Sequence, residues 1–130
     1  MQHHIPSVLA TLASYEGLFG PYHVQTLALT TVLAVALSDA GHRADARRLL
    51  ERAAGDLTKH HGRHHPARIR ALEALSDLLC QEGDWQAALP VQRELLDCRT
   101  HLLGEDHPAL QSLRNVILSM GAGTVVDSMQ

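Results

Sequence analysis

GRHHPARIRALEALSDLLCQEGDWQAALPVQRELLDCRTHLL, residues 62–103, is one period of this chain. The preceding stretch, GPYHVQTLALTTVLAVALSDAGHRADARRLLERAAGDLTKHH (20–61), has the same length of 42, and seven positions of the two are identical. Gly20 aligns with Gly62, His23 with His65, Leu33 with Leu75, Leu37 with Leu79, Gly41 with Gly83, and Ala46 with Ala88. Gly104 and His107 continue the series at the same offset. The matches fall on turn glycines and on apolar positions at helical spacing, where an internal repeat must keep its residues.

Two helices fit in each unit. Leu29, Val32, Leu33, Ala36 and Leu37, and then Leu72, Leu75, Leu78 and Leu79, recur at the 3.6-residue period. They predict first helices over about 24–39 and 66–81. Gly41 and Gly83 are placed to take the left-handed conformation that ends such a helix. Second helices are then expected over about 43–60 and 84–102, the latter capped by Asp84. Pro66 and Pro108 each follow a linker His at a helix start, where a missing N–H is tolerated; Asp106 or His107 could cap the third first helix. Pro90 removes a hydrogen bond to Gln86 and predicts a kink, and Gly55 weakens the helix around it.

The register divides a single domain, 1–130, into parts. A lone second helix occupies 4–19, complete units 20–61 and 62–103, a lone first helix 104–121, and a flexible tail 122–130. The expected fold is all-α, with about six helices pairing antiparallel in a short solenoid. Leu and Ala supply 22 and 17 of the 130 residues against four aromatics, a balance that disfavours strands.

"LGEDHPAL" (Leu103–Leu110), "HGRHHPAR" (His61–Arg68) and "FGPYHVQT" (Phe19–Thr26) resemble the linker and helix start of tetratricopeptide repeats of the 42-residue, kinesin-light-chain-like type. Leu33 with Ala34, Leu75 with Ser76, the turn glycines, Trp85, and Ala46, Ala53 and Ala88 extend the similarity into the helices. The resemblance implies a right-handed superhelical stack whose concave groove, lined by first helices, binds a peptide or protein without catalysis. Carried over position by position, the groove is Thr31, Val35, Ser38 and Asp39; Arg70, Glu73, Asp77 and Gln81; and Ser112, Asn115 and Ser119. Asn115 stands where such repeats often use an amide to pair with a peptide backbone, whereas Thr31 and Glu73 replace it in the other units.

The remaining composition excludes several classes. A net charge of −3 gives no general attraction to nucleic acid or an anionic membrane. The chain lacks the run of about 18 apolar residues that a bilayer span needs. No signal-peptide pattern opens it, so a cytoplasmic location is expected, and richness in Ala, Leu and Arg suggests a GC-rich bacterial genome. Cys80 and Cys98 read as packed thiols. No nucleophile–base motif or phosphate loop occurs, and neither enzyme activity nor a cofactor is expected.

Ten histidines are the compositional excess. His23, His65 and His107 belong to the repeat linkers, where a ring nitrogen can bond nearby backbone. Lys59, His60, His61, Arg63, His64, His65, Arg68 and Arg70 form a cationic loop expected to be solvated, with no metal site. Two alternatives compete with groove binding: self-association into a homo-oligomer through exposed apolar end helices, and a regulator that responds to a ligand or metal through the His-rich loop.

Overall fold

A computed structural model of the chain describes residues 4–129, with side-chain surroundings over 5–121. It contains six helices: α1 (His4–Phe19), α2 (Val24–Asp39), α3 (Arg43–His61), α4 (Pro66–Gln81), α5 (Trp85–Leu103) and α6 (Ala109–Met129). No strand occurs among the described residues. The all-α class holds, and α2 and α4 span the residues that the periodicity predicts. No helix among the described residues is long and apolar enough to cross a membrane.

The turn within each unit follows from its glycine. His42 N donates to Leu37 O at 2.8 Å and Gly41 N to Ser38 O at 3.0 Å, with Gly41 at φ +95°. Asp84 N to Leu79 O and Gly83 N to Cys80 O repeat the pattern at 2.9 and 3.0 Å, with Gly83 at +73°. Both are Schellman closures, which satisfy the last carbonyls of a helix by turning one residue left-handed.

The linker between units is also copied. Thr58 and Thr100, the seventh identity at the 42-residue offset, donate their hydroxyls back to Ala54 O and Leu96 O at 2.8 and 2.7 Å. Their own carbonyls accept from Gly62 N and Gly104 N at 3.2 and 2.9 Å, and those glycines adopt φ +98° and +89°. The chain then extends to the linker His and re-enters a helix.

The chain divides into two compact units, Met1–Leu78 and Leu79–Gln130, with the division inside α4 rather than at a repeat boundary. A single domain was the expectation. In a repeat each helix packs mainly on its neighbours in sequence.

In the first unit α2 packs on both α1 and α3. Its buried Thr26, Leu27, Leu33 and Ala34 meet a stripe on α3 made of Ala46, Leu50, Ala53, Ala54 and Leu57. Ala34 and Ala46 are 0 % exposed, and side chains of that size let two backbones approach closely. α1 contributes only half-buried groups, Ile5, Val8, Leu12 and Tyr15, spaced three, four and three residues apart. The outer face of α3 carries ion pairs at helical spacing, Arg47–Glu51 at 2.9 Å, Arg48–Asp45, and Arg52–Asp56 at 3.9 Å. Such exposed pairs each contribute only about 0.3–0.5 kcal/mol. Gly55 is exposed and the helix runs through it. Val32, one of the apolar residues at helical spacing on α2, is 52 % exposed.

In the second unit α5 packs on α6. Ala88, Leu95 and Cys98 of α5 are buried, as are Leu110, Leu113 and Met120 of α6. Asp84 caps α5 as expected, its carboxylate accepting from Ala87 N at 3.2 Å. Pro90 lies exposed inside an unbroken α5. Cys80 is half-buried, and neither cysteine is in a disulfide.

The C-terminal segment differs from expectation. A first helix within 104–121 and a flexible tail over 122–130 were predicted; α6 instead continues to Met129, and residue 130 lies outside the described residues. The register explains why. The position equivalent to Gly41 and Gly83 is Val125, so the sequence has no left-handed turn residue there.

Candidate partner-binding surface

The eleven predicted groove residues fall into one stripe per helix. On α2, Thr31, Val35, Ser38 and Asp39 step by four, three and one. On α4, Arg70, Glu73, Asp77 and Gln81 step by three, four and four, and on α6, Ser112, Asn115 and Ser119 step by three and four. None of the eleven is buried. On the same helices Leu33, Leu75, Leu79, Leu110 and Leu113 are buried, so the division between core and surface positions holds there. Leu37, which shares the helical spacing of Leu33, is half-buried.

The α2 and α4 stripes, up to Asp77, belong to the first unit, while Gln81 and the α6 stripe belong to the second. Their chemistry is mixed. α2 offers a hydroxyl at Thr31, an apolar side chain at Val35 and a carboxylate at Asp39; α4 offers a guanidinium and two carboxylates. Thr31 Oγ1 points back to Leu27 O at 3.4 Å. Asn115 Oδ1 accepts from Gln111 Nε2 at 3.4 Å, a bond long enough to yield to a better donor.

The His-rich segment is more ordered than the solvated loop that was expected. His61 Nε2 donates to Tyr22 O at 2.6 Å, and the His60 ring stacks on Tyr22 at 4.2 Å. These contacts join the end of α3 to the α1–α2 linker. Arg68 is 9 % exposed; its Nε donates to Thr58 Oγ1 at 2.6 Å and Nη1 to Arg63 O at 2.8 Å. The guanidinium thereby braces the end of α3 and the linker that follows. Among the described residues no group of three or more His, Cys, Asp and Glu is placed to hold a metal.

Each linker histidine sits at a helix start. His23 Nδ1 accepts from Gln25 N at 3.1 Å, His65 Nδ1 from Ala67 N at 3.0 Å, and His107 Nδ1 from Ala109 N at 3.1 Å. An imidazole here does what a Ser or Asp oxygen usually does at an N-cap. His107 rather than Asp106 therefore occupies the capping role at α6. His42, at the N-cap of α3, makes no such side-chain bond.

Two features escaped sequence reasoning. Tyr22 and Arg68 act through contacts 39 and 10 residues distant in sequence, and neither lies at an identical position of the two units. The first unit also holds a cleft of about 220 Å³ between α1, α2 and α3, with Leu12, Leu27 and Leu33 on its walls and Glu16, Arg52 and Asp56 among its polar groups. No periodic pattern marks a cleft of this kind.

A family model described as tetratricopeptide repeat matches residues 26–67 and 68–109. The two windows are adjacent and 42 residues long, together 84 of the 130 residues, and begin six residues later in phase than units counted from Gly20 and Gly62. No curated protein matches the chain. The match fits the helical-repeat solenoid class that the glycine, histidine and leucine register implied. With well over half its length covered, the chain belongs to the tetratricopeptide repeat family.

Proposed function

We propose that the chain is a cytoplasmic, non-catalytic module that binds a peptide or protein through the exposed stripes of α2, α4 and α6. Tetratricopeptide repeats are generally protein–protein interaction modules, and this supports the class of function. The carrying observation is that all eleven nominated side chains are accessible while the apolar positions between them are mostly buried. The mixed signs of Arg70, Glu73 and Asp77 favour a partner that carries both charges rather than a polyanion.

The test pairs partner capture with a groove variant. Arg70→Ala combined with Glu73→Ala should reduce recovery of a captured partner at least five-fold, with the thermal midpoint within about 3 °C of the unaltered chain, because surface substitutions cost little stability. Equal recovery by both proteins would refute use of this surface. A second reading, self-association, is favoured by the exposed apolar side chains Leu18 on α1 and Leu118 on α6, 75 and 70 % accessible.

A further inference from the structure

The four residues buried on α2 recur as buried residues on α4 at the 42-residue offset, and α6 breaks the series. Thr26, Leu27, Leu33 and Ala34 correspond to Arg68, Ile69, Leu75 and Ser76, all buried. Their counterparts on α6 are Leu110, Gln111, Ile117 and Leu118. Leu110 is buried, whereas Gln111 is exposed and Ile117 half-buried. The last position differs most: Ala34 is 0 % exposed, Ser76 1 % and Leu118 70 %. On α2 the buried face meets α3, the helix that follows it. α6 packs on α5, the helix before it, and the face that a following helix covers on α2 lies open at Leu118.

α1 is the complementary case. It has the register of a second helix, and its exposed Thr11 corresponds to Ala53 of α3 and Leu95 of α5, only 1 and 2 % exposed. Its half-buried Val8 and Tyr15 correspond to Leu50 and Leu57 of α3, 1 and 0 % exposed. The solvent face has changed as well. Where α3 carries Arg47, Arg48, Glu51 and Arg52, α1 carries Ile5, Pro6, Leu9 and Ala10, and it has no Lys or Arg. A helix that is apolar round most of its surface is one that other elements cover.

We propose, resting on the self-association reading, that copies of the chain join head to tail: the open face of α6 on one copy receives α1 of the next. The template is the packing of α2 on α3, a first helix on a second, within the chain. α6 has the register of a first helix and α1 that of a second, so the contact between copies continues an interface that the fold already uses. Charge agrees with this pairing. Over 109–121 α6 carries one formal charge, Arg114, and α1 carries one, Glu16, of opposite sign. Pairing α6 with α6, or α1 with α1, would bring like charges together instead. Because the joined faces are unlike, two joined copies keep one open α1 and one open α6, which close on each other or take further copies.

Sedimentation of the full chain beside two variants tests the faces. Thr11→Glu and Leu118→Glu alter exposed positions, so the monomer stays folded, but each places a carboxylate in the contact. The unaltered chain should assemble reversibly as concentration rises, and each variant alone should associate at least about tenfold more weakly. Mixed in equal amounts, the two variants should form a pair and nothing larger, because one brings an intact α6 face and the other an intact α1. Leu18→Glu should leave assembly unchanged: Leu18 is 75 % exposed, but its counterparts His60 and Leu102 are exposed too. A monomeric unaltered chain would remove self-association itself. Undiminished assembly of Thr11→Glu or Leu118→Glu alone, a mixture that stays monomeric, or assembly abolished by Leu18→Glu would leave self-association standing and overturn the head-to-tail contact. Should a variant lose its helical circular dichroism, amide exchange of the unaltered chain decides: α1 and α6 should gain protection together as concentration rises, and protection gained by one of them alone would overturn the contact.

Discussion

Arg68 carries a charge into a site where only 9 % of its surface stays exposed, and its partners there include Thr58 Oγ1 and Arg63 O. A buried guanidinium without such partners would be strongly unfavourable, whereas here it fastens the end of one helix to the linker beyond it. Arg68→Met keeps the aliphatic stem and removes both bonds. We expect it to destabilise the chain by about 1–3 kcal/mol, seen as a lower urea midpoint with an unchanged slope. A loss below about 0.5 kcal/mol would show that the brace contributes little. The sequence made other single residues legible because their role is local: Gly41 and Gly83 end helices by their own backbone freedom, and Asp84 caps the turn that follows it. Arg68 was read as one solvated cation in a basic loop, because nothing local distinguishes it from Arg63 or Arg70. Its partner Thr58 was visible as an identity with Thr100, but the bond between Thr58 and Arg68 depends on tertiary placement.

At the scale of elements, helical periodicity combined with glycine punctuation placed α2 and α4 to the residue, and α3 and α5 to within one residue at each end. It misjudged α6, where a tail was expected from residue 122 although the turn position of the register is Val125. A glycine inside a helix weakens it; only a glycine that turns left-handed ends it. Pro90 makes a similar point, since α5 runs unbroken past it. That helix still lacks the bond that residue 90 would donate to Gln86 O. Pro90→Ala restores a donor at an exposed position and should stabilise the chain by about 1–3 kcal/mol, measurable as a higher urea midpoint. An unchanged or lower midpoint would mean that the ring makes compensating contacts. The groove stripes were legible as surface positions, because the same periodicity that finds a buried face finds its complement.

For the whole molecule, repetition along the chain was legible and its division into two compact units was not, since contacts between sequence neighbours reveal nothing about where the seam falls. Leu18 and Leu118 are its most exposed large apolar side chains among the described residues. Sedimentation at rising concentration should show a reversible shift to larger species, and Leu118→Ser should reduce it with less than about 0.5 kcal/mol lost in stability. A strictly monomeric profile would remove self-association as a reading. The linker caps extend to this scale as well. Because each linker carries its own imidazole acceptor, bonded to a backbone N–H only two residues further on, helix entry is specified within the linker itself. Duplicating a unit therefore duplicates its own helix-start signal, and an array of this type can lengthen without borrowing a cap from a neighbouring unit.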